Sequence, residues 1–229
     1  MKKSIYDKLK DEKKVKEKDT EVKALFSQRL LAFLLDLVIL TLITTIVTAF
    51  IPVSDSTRKL YDEQNQILED YVGGNSTIEE YVNQIVDIEY DISKYTAISS
   101  IVAIVISLLY YVVYPCYNSG QTFGKKIMKI KITKITDKDL SMNDLLIRAM
   151  VNNSILVNII LVALVMLLSK DLYLSVNSLL SIIQYTILII SLLMIALSKN
   201  GQGLHDKLVK TIVVRTDVVK EDILCQNES

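Results

Sequence analysis

The sequence predicts an all-α membrane protein: a four-transmembrane-helix bundle with an extracellular helical hairpin and short cytosolic β-strands. Three observations lead there. Four apolar runs, at about residues 30–51, 96–114, 149–168 and 176–197, are each long enough to cross a bilayer. The segments between them alternate in charge. One polar stretch, residues 130–135, alternates apolar and basic side chains with the period of a strand.

Composition sets the class. The chain has 229 residues, 51% of them apolar, with 23% charged and a mean hydropathy of +0.35. A soluble domain can be that apolar, but not in runs this long. Lipid then acts as solvent for much of the chain, and an open sheet is excluded at that depth. The charges balance at 26 of each sign, yet they are unevenly placed. Residues 1–29 carry ten basic and six acidic side chains; residues 52–94 carry three and ten; residues 115–148 carry seven and three. Basic loops stay in the cytosol. Both termini and residues 115–148 are therefore expected inside, and residues 52–94 outside. The expected organisation is a charged cytosolic tail at 1–28, a membrane domain at 29–214 and a second cytosolic tail at 215–229.

The N-terminal tail is lysine-rich and mixed in charge, a solvated segment with some attraction to anionic lipid. No cleavable signal peptide is expected: the first apolar run is too long for a signal core and no A-x-A site follows. That run carries Asp36. An ionised side chain inside a span is unfavourable by about 2.5–3.5 kcal/mol on insertion scales, so it needs a partner or a task. Arg29, Ala32 and Asp36 share one helical facet, which places Asp36 roughly 10 Å along the axis from Arg29. Thr41, Thr44, Thr45 and Thr48 form a separate hydroxyl stripe suited to helix packing.

Residues 52–94 read as two helices. Leu60, Ile67, Leu68, Tyr71 and Val72 recur at helical spacing, Gly73-Gly74 interrupts them, and Ser76 to Glu79 or Thr77 to Glu80 offers a capping box. The second helix is expected to run into the next span at Thr96. Tyr110, Tyr111, Tyr114 and Tyr117 form an interfacial belt in a chain with no tryptophan, and Pro115 is expected to end the helix. The following Gly120–Lys126 stretch is one residue short of a phosphate-binding loop and has Lys126 where a hydroxyl must hold magnesium, so nucleotide binding is rejected. A short amphipathic strand follows, and Ser141 is placed to cap a helix leading to Arg148.

Asn152, Asn153 and Asn158 make the third run the weakest. The fourth carries Gln184 and several serines, ordinary groups for interhelical hydrogen bonds. No glycine interrupts any run, and no inverted repeat is evident. After Gly201 and Gly203, His205 and Asp206 are expected at the membrane surface. Residues 210–215 read as a second strand able to pair with residues 127–135. The two cysteines, Cys116 and Cys225, fall on the cytosolic side, where a disulfide is not expected. His205 is the single histidine, and no zinc-ligand spacing is present. No cofactor, no nucleic-acid partner and no enzymatic activity are expected, since there is no nucleophile–base pair or cofactor motif.

These residues resemble the RDD family of membrane proteins, named for an arginine and two aspartates. Arg29 and Asp36 in RLLAFLLD are similar to its first pair, and Asp206 in GLHDKLVKTIVV to its second aspartate. The stretch GQTFGKKIMKIKI, and LSMNDLLIRAM with Arg148, are similar to the family's middle region. The resemblance covers about residues 28–214 apart from a longer, more acidic insertion at 52–94. It implies a helical membrane domain and, for some members, transport that includes cation/proton exchange.

The candidate site is thus an intramembrane or interfacial charge cluster of Arg29, Asp36, Arg148 and Asp206. Three functions are open to it. The cluster ties loops to the bundle and is structural; or Asp36 couples ion or proton transport, with a monovalent cation or proton as partner and a homo-oligomer to widen a four-helix pathway; or the protein is a scaffold or accessory that meets the lipid bilayer and other proteins. The Ile/Lys/Asn-rich composition points to a bacterial cell membrane.

Overall fold

The computed structural model describes residues 22–136, 139–198 and 201–217. The lysine-rich tail to residue 21, and the tail with Cys225, lie outside the described residues.

Helix α1, Phe26–Thr48, opens where the Gln28 side chain accepts the Leu25 N–H at 3.1 Å. It ends where the Thr48 hydroxyl donates back to the Thr44 carbonyl at 2.8 Å, with Pro52 just beyond. Among its residues Ala32 and Asp36 are the buried ones, and most of its exposed surface is apolar, as a lipid-facing helix requires. The acidic segment forms the two expected helices, α2 (Asp55–Val72) and α3 (Ile78–Tyr95). Ser54 caps the first; Thr77 and Glu80 form the box at the second, so the Ser76–Glu79 alternative is not used. Tyr71 stacks on Tyr81 at 4.7 Å across the turn. Helix α3 docks on the start of the helix at Lys170–Leu197: Lys170 meets Asp87 at 3.2 Å and Asn177 donates to Glu89 at 3.0 Å.

Only Thr96 interrupts the path from α3 into α4, Ala97–Tyr117. Pro115 does not end this helix. A π turn at Leu109–Val113 precedes the proline and absorbs the clash its ring makes with a regular preceding turn. The same turn directs Tyr110 and Val112 inward. Then come α5 (Phe123–Ile127), β1 (Ile130–Lys134), α6 (Met142–Asn152), α7 (Ile155–Leu167), α8 (Lys170–Leu197), α9 (Leu204–Leu208) and β2 (Thr211–Arg215). Ser141 caps α6 as expected, with Asp144 closing the box.

The third expected span is not one straight helix. Helices α6 and α7 meet at 67° around Asn153 and Ser154, and Ser154 has φ 61°. The 13 residues of α7 cover about 20 Å, less than a hydrocarbon core of about 30 Å. Among the described residues, three helices are therefore long and apolar enough to cross a membrane, or four crossings if α6 and α7 count as one broken span. Helix α8 starts earlier than residue 176 and has 28 residues.

The strands pair antiparallel, with Ile132 opposite Val213 and Lys134 opposite Thr211. Lys23 adds a bridge to Val214, so the start of α1 is sewn to the same sheet. The core lies where this sheet meets the helices, around Ala32, Val112, Ile130, Leu145, Ala149 and Val213.

Each strand belongs to a unit of the same design. Gly120-Gln121 and Gly201-Gln202 each follow a long helix; a five-residue helix, a left-handed lysine and a five-residue strand come next. Gly120 and Gly201 have φ 76° and 57°; Lys129 and Lys210 have φ 53° and 54°. The Gln121 amide donates to the Ile130 carbonyl at 2.9 Å, and the Gln202 amide donates to the Thr211 carbonyl at 2.8 Å. Ile132 and Val213 hold corresponding places and face each other, so a local two-fold runs through that pair. Preceding each unit are two membrane helices, α1 and α4 for the first, α6–α7 and α8 for the second. The residues carry the same repeat, with Gly120, Gln121, Lys126 and Lys129 matched by Gly201, Gln202, Lys207 and Lys210.

Candidate functional site: two buried carboxylates and the cavity between them

Asp36 is 1% exposed although it sits inside a membrane helix. Its carboxylate is satisfied from α4 and α5. The Tyr110 hydroxyl donates to Oδ1 at 2.6 Å, the Thr122 hydroxyl to Oδ2 at 2.5 Å, and the Gly124 N–H to Oδ1 at 2.7 Å. Lys125 Nζ lies 3.6 Å from Oδ2. Three hydrogen bonds and a cation are what an ionised acid needs to remain charged out of water. Gly124 makes this approach possible: a Cβ there would collide with the Ala32 carbonyl oxygen.

Asp206 is fully buried beneath the sheet. Arg29 Nη2 donates to Oδ2 at 2.5 Å, Arg148 Nη1 donates to Oδ1, and the Gly203 N–H donates to Oδ2 at 3.0 Å. The arginines reach further: Arg29 also donates to the Gly201 carbonyl and Arg148 to the Thr211 hydroxyl. Burial alone raises the Asp206 carboxyl, but the charges of Arg148 and Arg29 override it and hold the group well below the usual carboxylate range.

The structure therefore joins three of the four expected residues. Arg29, Arg148 and Asp206 form one ion-pair cluster. Asp36 has neither arginine as a direct partner; it is held by Tyr110, Thr122, Gly124 and Lys125. Those four were legible in the sequence only as an aromatic belt and a glycine-flanked turn. His205, expected at the surface, is 4% exposed. Its Nδ1 is 3.1 Å from Ser191 Oγ and its Nε2 is 3.4 Å from Asp206 Oδ2. Nε2 faces a carboxylate, which only accepts, so the His205 proton sits on Nε2 toward Asp206 and Nδ1 accepts from the Ser191 hydroxyl. Burial and the nearby Arg148 push the imidazole down to about 3, so His205 is neutral. Burial also lowers Lys125; Asp36 opposes this, and both arginines add to it.

A cavity of about 130 Å³ lies between the two carboxylate sites. Arg29, Asp36, Lys125 and Arg148 line it, with Asn152 and Asn153 from the end of α6 and the break after it. Both repeat units contribute walls. A second cavity, of about 330 Å³, is lined by Glu89, Ser93, Ser107, Asn158 and Asn177, and reaches Ile155 on the far side of the same break. Ile155, 1% exposed, stands beside the break. Among the described residues, no group of three or more His, Cys, Asp or Glu side chains is placed to hold a metal ion.

Comparison with curated proteins and with solved structures finds no match. The pattern of the RDD family matches residues 23–210. That range holds Arg29, Asp36, Arg148, Asp206 and the α5–β1 unit. With several apolar helices long enough to cross a bilayer and this match over most of its length, the chain belongs to the RDD family of membrane proteins.

Proposed function

We propose that this protein carries out ion or proton-coupled transport. One observation carries the reading: two cavities meet the broken α6–α7 span, a largely apolar one with charged groups in its wall, lined by α6 up to Asn153, and a second lined by α7 from Ile155. Membrane helices break where backbone lines a solute site, and such sites lie between structural repeats. Here the inner cavity is walled by both repeat units. Asp36 is the acid that lines the inner cavity, and Ile155 is a buried apolar residue in the wall of the second. The basic residues 115–148 support a cytosolic sheet layer and cytosolic termini, with the acidic α2–α3 pair outside a cell membrane.

A second reading, a non-transporting scaffold or accessory protein, has its own support. Both carboxylates are saturated by donors from other chain segments, which is how a structural latch is built. Proton flux in proteoliposomes driven by sodium, potassium or lithium gradients separates the two, with wild type compared to Asp36→Asn and thermal unfolding followed in both. Flux lost in a folded variant supports transport. Absence of flux from wild type, with early melting of the variant, supports the latch.

A further inference from the structure

The inner cavity has an opening toward lipid. Phe26, Arg29, Leu30 and Phe33 form one stripe of α1; Leu188, Ser191, Leu192 and Ile195 form one stripe of α8; both line the cavity. The two helices make at most marginal contact, so the stripes border a gap rather than an interface. Phe26, Leu30 and Leu192 are 40%, 36% and 37% exposed at its rim.

Charge at the inner end is unbalanced. Among the described residues, Arg29, Lys125 and Arg148 meet the carboxylates of Asp36 and Asp206, and His205 is neutral. Three basic side chains thus share two acidic ones, with Lys125 largely removed from the surface. Lys125 Nζ is the least satisfied of the three, with Thr122 Oγ1 at 3.2 Å and the Asp36 carboxylate at 3.6 Å. An uncompensated buried charge is unfavourable, and an anion removes the penalty. Arg29 stands in the first turn of its helix, the depth at which a lipid headgroup sits.

We propose that the gap between α1 and α8 binds an anionic phospholipid from the bilayer, its phosphate in the cavity toward Lys125 and its acyl chains along the two apolar stripes. Size agrees: a void of about 150 Å³ takes a benzene-sized group, so about 130 Å³ takes a phosphate and leaves the chains outside. This goes beyond the transport reading and stands without it, because a lipid can be bound by a protein that moves no solute.

The test uses the full chain in nanodiscs made of equal parts phosphatidylglycerol and phosphatidylcholine with the same acyl chains. Lipid retained on release into the gas phase is read by native mass spectrometry. Wild type is expected to retain phosphatidylglycerol in preference to phosphatidylcholine. Lys125→Gln should reduce that preference about tenfold, the loss of one charge-assisted contact. Leu192→Trp, which blocks the rim without touching the ion pairs, should abolish it. Helix content and melting temperature of both variants show whether they fold. Equal retention of both lipids by wild type, or a preference that survives either substitution in a folded protein, overturns the proposal. So does stabilisation by millimolar inorganic phosphate equal to that by phosphatidylglycerol, which would make this a soluble-anion site. Proton flux plays no part in these outcomes, so failure here is distinct from failure of the transport reading.

Discussion

The Gly124 N–H donates to Asp36 Oδ1 at 2.7 Å, and a Cβ at Gly124 would stand 2.7 Å from that same oxygen. The short helix α5 can thus rest on α1 only through a residue without a side chain. The apolar runs contain no glycine; the close approach comes from outside them, and it places a backbone donor on a carboxylate in lipid.

Gly124→Ala is expected to destabilise the protein by about 2–3 kcal/mol, combining overpacking with a strained hydrogen bond to a charged acceptor. Tyr110→Phe, which removes one donor and no packing, should lose about 1.5–3 kcal/mol. Thermal unfolding in detergent checks both. Equal melting of Gly124→Ala and wild type would contradict the contact.

Asp206→Asn should be more damaging, by about 3–5 kcal/mol, because it leaves Arg29 and Arg148 buried without an anion. The combined change Arg148→Met with Asp206→Asn should melt closer to wild type than the sum of the two single variants requires. Simple additivity in the cycle would mean that the ion pair contributes nothing.

Stability should fall on acidification, in two stages. His205 is held at about 3 in the folded protein against an ordinary 6.5. Between those values the unfolded chain binds a proton that the folded chain refuses, so stability declines as pH drops from about 6.5 toward about 3. Asp206 is shifted the other way relative to its charge. Its stabilisation is complete above the unfolded value of about 3.9 and is lost as pH falls through its lower folded value. His205→Gln should flatten the first stage and leave the second. Melting temperatures from pH 8 down to about pH 2.5 in both proteins provide the check; an unchanged slope between pH 6.5 and pH 4 would refute the buried neutral histidine.

The repeat makes a paired prediction. Gln121→Leu and Gln202→Leu each remove one amide-to-carbonyl hydrogen bond at the start of a strand, and each should cost about 1 kcal/mol. Gln202→Leu should cost more, because Gln202 is buried whereas Gln121 is half-buried, while the acceptor carbonyls of Ile130 and Thr211 lie on residues that are equally buried. No loss at either site would contradict a device shared by the two units.

Much of the site could be read in the chain. An aspartate in an apolar run requires partners, and the partners of Asp206, Arg29 and Arg148, were recognisable as charges at span ends. The partners of Asp36 were not, because hydroxyls, a backbone N–H and a turn lysine have no pattern that separates them from an interfacial belt or a loop. The repeat was legible but short: Gly120, Gln121, Lys126 and Lys129 recur as Gly201, Gln202, Lys207 and Lys210 at the same spacing, while Lys125 and Asp206, at corresponding positions, differ in sign.

By itself the sequence determined the membrane class, the approximate places of three spans, the acidic helical pair, the two strands and their pairing, because hydrophobic length, periodicity and capping are local properties that lipid and backbone geometry enforce directly. The tertiary structure decided the rest: that Asp36 and Asp206 occupy separate sites, that α4 continues past Pro115, that α6 and α7 break at Ser154, and that a charged cavity lies between two related units. These depend on which segments meet in space, and each records a buried polar group finding a donor far away in the chain.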